Sequence, residues 1–148
     1  MKTHLLLFAF LFVCSYGQGQ ILISDAVLVG KTNGTLLNAV QLKKTSMGDS
    51  SWYNLIYPYS DSDQTYFSTL DFKATEDDMQ LFYQLVKKMA DMPNGTRNII
   101  VLGKSTLVLS TYNILVRAVY FYPQQKNRHS FFVTHGQIDK LFGIAKDQ

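Results

Sequence analysis

A single long amphipathic helix stands in the middle of a chain built mostly of short β-forming runs, and that arrangement most narrows the folds open to it. Thr75 begins the segment with Asp78 three residues on, as in a capping box, and Glu76, Asp77 and Asp78 place negative charge on its first turn. Lys87 and Lys88 put positive charge at the other end, so both ends complement the helix macrodipole. Met79, Phe82, Leu85, Val86 and Met89 recur at three- and four-residue spacing, which makes one apolar face. Pro93-Asn94-Gly95 then stops the helix and turns the chain. Such a face has to cover a sheet.

The flanking runs supply that sheet. Ile21 to Val29 and Leu36 to Leu42 enclose the turn-forming Lys31-Thr32-Asn33-Gly34-Thr35 and make a hairpin. Trp52 to Tyr57 is a third strand, stopped by Pro58. Ser60-Asp61-Ser62-Asp63 is a turn, and Thr65 to Phe72 is a fourth strand. After the helix come Asn98 to Leu102, Ser105 to Tyr112 and Ile114 to Tyr122, with Gly103-Lys104 suited to a type II′ turn between the first two. In the third run Ile114, Val116, Ala118 and Tyr120 share one face and Leu115, Arg117, Val119 and Phe121 the other, as in a strand covered by a helix on one side and partly by its neighbours on the other. Gln124 to His129 is a polar loop, and Ser130 to Thr134 a final strand. Gln137 to Ala145 is a short amphipathic helix presenting Ile138, Leu141, Phe142 and Ala145. Gly143 weakens it by about 1 kcal/mol relative to alanine, so it forms by docking. The expected fold is α+β: an antiparallel sheet of about seven or eight strands with one central helix packed on it and a short C-terminal helix.

The first residues carry an address. Lys2 and His4 precede an apolar run from Leu5 to Val13, and Ser15 and Gly17 supply small residues at the −3 and −1 positions of a signal-peptidase site. Residues 1–17 therefore read as a signal peptide, cleaved before Gln18 or, alternatively, Gln20. The run is shorter than the about 20 residues needed to span a bilayer, so no transmembrane helix is expected. Residues 18–148 read as one α+β domain, secreted or periplasmic. The only cysteine, Cys14, leaves with the signal, which makes the mature chain disulfide-free. A lipid anchor at Cys14 is not expected, because Val13 stands where a lipoprotein peptidase needs a small residue.

Charge and motifs exclude several chemistries. The formal net charge is +3, from 14 basic and 11 acidic residues, and these are scattered rather than striped. A nucleic-acid partner is therefore not expected. Lys126, Asn127, Arg128 and His129 come nearest to a cluster and read as a solvated hairpin tip. Gly30-Lys31-Thr32 and Gly103-Lys104-Ser105 imitate a phosphate loop, but each lacks the upstream glycine and is followed by a strand instead of a helix. Asp61-Ser62-Asp63 has calcium-loop spacing, yet Thr65 and Tyr66 stand where a ligand and the turn glycine belong. Neither a metal nor another cofactor is expected. His129 and His135 are the mature chain's only imidazoles and neither has a catalytic motif around it, so no catalytic residue is assigned.

Aromatic residues remain. Trp52, Tyr53, Tyr57, Tyr59, Tyr66 and Phe67 gather around one strand-turn-strand segment, and tyrosine's flat apolar area plus hydroxyl suits carbohydrate, peptide or protein surfaces. Tyr53, Leu55, Tyr57 and Tyr59 share a face, with Trp52, Asn54 and Ile56 on the other, so part of this set is core. Trp52, Tyr57, Tyr59 and Tyr66 are the candidate binding residues. Asn33-Gly34-Thr35 and Asn94-Gly95-Thr96 are glycosylation acceptors at Asn33 and Asn94 if the secretory pathway is eukaryotic.

In layout the chain resembles small exported proteins of unknown function from Gram-negative bacteria. The features that carry this are the glutamine-led mature end at Gln18, the capped helix bearing Phe82-Tyr83-Gln84-Leu85, and the closing Gln137-Ile138-Asp139-Lys140-Leu141-Phe142-Gly143 after a strand. The resemblance implies export to the periplasm or beyond and brings no catalytic residues. The leading expectation is a non-enzymatic exported module that binds a protein or another ligand through an aromatic sheet surface or a strand edge. The alternatives are a small hydrolase using Asp or Glu with His129 or His135, and an envelope assembly or inhibitor protein acting by edge-strand pairing.

Overall fold

A computed structural model describes residues 26–33, 39–61, 63–126 and 128–144. The expected signal segment, Cys14, and parts of the first two expected strands lie outside these residues, as does Ala145 of the last helix. The fold is α+β, with eight strands and two helices among the described residues. β1 (Val27–Lys31), β2 (Gln41–Met47), β3 (Ser50–Asp61) and β4 (Gln64–Ala74) form one antiparallel sheet in that order. α1 (Glu76–Ala90) follows, and β5 (Arg97–Leu102), β6 (Ser105–Tyr112), β7 (Ala118–Pro123) and β8 (Phe131–Thr134) form a second, also in chain order. α2 (His135–Leu141) comes last. The strands thus divide into two four-stranded sheets where the periodicity suggested one. Each half is an antiparallel meander, and the long helix between β4 and β5 breaks the run of neighbouring strands.

Local chemistry explains most elements. Asp78 N donates to Thr75 Oγ1 at 3.1 Å and Thr75 N donates to Asp78 Oδ2 at 3.0 Å, completing the expected capping box of α1. The Thr75 N–H and, after it, the Thr75 hydroxyl, which donates to Asp78 Oδ2 at 2.8 Å, hold the Asp78 carboxyl below its ordinary range. Gly103 adopts φ +61° in a two-residue turn that pairs Leu102 with Ser105. Met79, Phe82, Val86 and Met89 are buried on one face of α1 as expected.

Two expectations change. β3 continues through Pro58, which pairs with Phe67 of β4. The β2 ladder ends at Gln41 opposite Ile56, so Pro58 lies beyond it and its missing N–H interrupts no pairing with β2. Ile114, Leu115 and Val116 do not begin a strand: the register of Tyr112 with Ala118 places them in the β6–β7 loop, exposed by 65%, 89% and 53%. Nothing in this apolar run marks the turn, so alternation alone extends β7 too far back. From Ala118 on the expected division of faces holds, and the structure shows which is inward: Val119 and Phe121 form the core face of β7, while Tyr120 and Tyr122 face outward.

One core joins both sheets and both helices. Leu42, Leu55, Leu70 and Phe72 of the first sheet share one buried cluster with Leu107, Leu109, Val119 and Phe121 of the second and with Met79, Phe82, Val86 and Met89 of α1. Phe82 packs edge-on against Phe72, Phe121 and Phe142, with centroids 6.3, 6.5 and 5.3 Å away. At the sheet seam Tyr57 stacks on Phe131 at 4.2 Å, and Phe131 stacks on Phe121 at 4.6 Å.

Candidate binding surfaces

Strand alternation separates the four candidate aromatics. Tyr57 lies on the core face of β3 and is 0% exposed, so the surface role expected for it is corrected: it is a core residue. Its hydroxyl has no hydrogen-bond partner among the described residues, and burial raises its pKa. Trp52 projects from the opposite face, opposite Thr45 and Lys73, and is 45% exposed. Tyr59 and Tyr66 pair across the far end of β3 and β4, with rings 5.6 Å apart. His129 from the β7–β8 loop lies flat on Tyr59, at 3.6 Å and 8° between planes. The structure therefore brings Tyr59 and Tyr66 together with His129, and sets Trp52 on another face.

That aromatic end borders a cleft of about 350 Å³ between the end of β3 and β8. Its walls include Tyr59, Ser60, Thr65, Ser130, Phe132 and Thr134. The edge of β3 beyond Ile56 and one edge of β8 carry no ladder among the described residues, which leaves the two sheets open toward each other at this point.

A second surface was not anticipated. On the outer face of the β5–β8 sheet, Ile99, Val101, Tyr112, Tyr122 and Phe132 are exposed by 71%, 69%, 38%, 40% and 51%. Tyr120 sits among them, 5.7 Å from Tyr112, 6.1 Å from Tyr122 and 5.3 Å from Phe132. Each strand read singly has apolar residues on both faces, which is equally the pattern of a strand buried on both sides. Only the pairing shows that α1 covers one face of this sheet and that no described element covers the other.

Polar clusters sit elsewhere. Lys87 Nζ donates to both oxygens of Asp139 at 2.7 Å and the Tyr83 hydroxyl donates to Asp139 Oδ1 at 2.9 Å, which ties α2 to α1. The Lys87 hydrogen bonds hold the Asp139 carboxyl below its ordinary range, against the opposing effect of burial. His135 Nε2 lies 3.6 Å from Asp91 Oδ1, which Arg117 Nη1 also approaches at 3.5 Å. Two cavities flank α1. One of about 480 Å³ lies against β5 beside Leu81, Leu85 and Ile100, and one of about 210 Å³ holds the polar trio of Lys44, Tyr53 and Glu76. Lys44 and Glu76 are ion-paired, and the Tyr53 hydroxyl donates to Glu76 Oε1 at 3.3 Å. Each ionisable group here has a partner in the fold, so these clusters read as fastenings.

Among the described residues no three His, Cys, Asp or Glu side chains gather as a metal site, and no helix is long and apolar enough to cross a membrane. Asn33 and Asn94 are both exposed. Asn33 Oδ1 accepts from Lys140 Nζ at 3.0 Å and Asn94 Oδ1 from Asn113 N at 3.2 Å. Comparison with protein-family models, with curated proteins and with solved structures finds no match to this chain.

Proposed function

We propose that this protein is an exported, non-enzymatic interaction module that docks a partner protein on the outer face of the β5–β8 sheet. One observation carries the reading: five large apolar side chains stand exposed together on a single face. At about 150–250 Å² for each such side chain when free, their exposures amount to roughly 500 Å², the size of the largest apolar patch on a typical monomer, about 300–600 Å², which is often functional. The face is nearly neutral. Of its outward residues only Arg97, at the start of β5, is charged. Neutrality favours an apolar protein surface as the partner, because anionic membranes or nucleic acid would call for clustered lysine and arginine. Export rests on the apolar run from Leu5 to Val13 and the small residues at Ser15 and Gly17.

The test compares wild-type protein with an Ile99→Thr/Val101→Thr variant. Threonine keeps β propensity while removing apolar area. Both proteins are used as bait in the host's exported fraction, with circular dichroism as the folding control. Partners held by the wild type and lost by a folded variant are the expected result. Equal capture by both would remove this face from consideration.

A further inference from the structure

We infer that the cleft between the end of β3 and β8 is a binding site for a neutral saccharide. It is separate from the partner-docking face and rests on different residues, apart from Phe132 at their shared rim. At about 350 Å³ it falls within the size range of small-ligand sites.

Three properties of its walls select the ligand. None of the described residues lining it carries a formal charge. An anion or cation entering would lose hydration without gaining a counter-charge, so the occupant is neutral. The walls are also rich in hydroxyls, from Tyr59, Ser60, Thr65, Ser130 and Thr134. Each can both donate and accept, and the Ser60, Thr65 and Ser130 side chains make no hydrogen bond to another described residue. A purely apolar ligand would cover these groups and leave them unsatisfied, whereas a polyol exchanges hydrogen bonds with them. Aromatic rings supply the third property. Tyr59 is braced by His129 at 3.6 Å and by Tyr66 at 5.6 Å, and Phe132 rests on Tyr120 at 5.3 Å while remaining 51% exposed. A pyranose has an apolar C–H face and a rim of hydroxyls. It can pack the face on a ring while the rim meets Ser and Thr. Rings already held by their neighbours lose little freedom when the ligand arrives.

The experiment titrates the exported protein with maltohexaose, cellohexaose, xylohexaose and mannohexaose by calorimetry, with ligand-observed saturation-transfer NMR at millimolar sugar. Oligogalacturonate and a neutral Ser/Gly/Tyr peptide are run in parallel. At least one neutral oligosaccharide is expected to bind. Tyr59→Ala and the surface pair Thr65→Val/Ser130→Ala should each weaken that binding at least tenfold, while Ile99→Thr/Val101→Thr leaves it unchanged. The near-isosteric pair keeps the test decisive should Tyr59→Ala fail to fold. The site is overturned if none of the neutral sugars binds, if the cleft variants bind as well as wild type, or if oligogalacturonate or the peptide binds in preference. Because partner capture and sugar binding are read with different variants, failure of one leaves the other standing.

Discussion

Tyr53 shows how a single side chain couples packing to charge. Its ring is 2% exposed and stacks near Phe72 at 5.7 Å, while its hydroxyl reaches the Glu76 carboxylate that Lys44 holds. Burial, then the negative charge of Glu76 and the hydrogen bond to it, push the phenol up to about 12. Because the folded pKa lies above the unfolded one, the stabilisation from keeping this phenol protonated is complete below about pH 10 and is lost as the pH rises through about 12. The midpoint of urea unfolding should therefore fall more steeply between pH 10 and 12 in the wild type than in Tyr53→Phe. Identical slopes would show that Tyr53 ionises as freely in the fold as outside it. The alternation of β3 already put Tyr53, Leu55 and Tyr57 on one face. It could not say which face was inward, and so Tyr57 stood among the surface candidates until the core claimed it.

At the scale of elements, the docking of α2 on β1 depends on two glycines, Gly30 in the strand and Gly143, which also ends α2 in the left-handed conformation with Gly143 N donating to Lys140 O and Ile144 N to Asp139 O. A Cβ at Gly30 would overlap the carbonyl oxygens of Lys140 and Leu141, and one at Gly143, itself at φ +69°, would meet the Val29 carbonyl. β1 carries an irregularity between Leu28 and Gly30, and there the helix end comes close to the strand backbone. Gly30→Ala should cost about 1–3 kcal/mol in equilibrium unfolding, with increased hydrogen exchange in α2, since backbone has to move to make room. An unchanged unfolding midpoint would mean that the two elements do not touch as described. Gly30 drew attention in the sequence as part of a false phosphate loop, and Gly143 as a weakness in a short helix. Both admit a contact between segments distant in the chain, and local patterns hold no record of that contact, although they do account for Gly143 as the left-handed residue that ends α2. Elements with complete local signals were legible instead: the cap at Thr75 and Asp78, the Gly103-Lys104 turn, and β6 from Ser105 to Tyr112 with the expected ends.

Across the whole molecule, Phe82 is where the parts meet. It is 5% exposed and touches rings from β4, β7 and the residue after α2, so truncation opens a cavity bordered by both sheets. Phe82→Ala should cost about 3–5 kcal/mol by denaturant unfolding, and both sheets should lose protection together. Loss confined to one sheet would show that the halves are held separately. The sequence by itself determined the α+β class, the antiparallel strands, the long capped helix and the short one that follows, because these depend on periodicity, caps and turn residues within a few positions of each other. Tertiary structure alone decided that the strands split into two sheets, which face of each packs on α1, and which aromatic residues remain outside. Those outcomes turn on strand register and on what covers each face, and pairing between distant segments sets both.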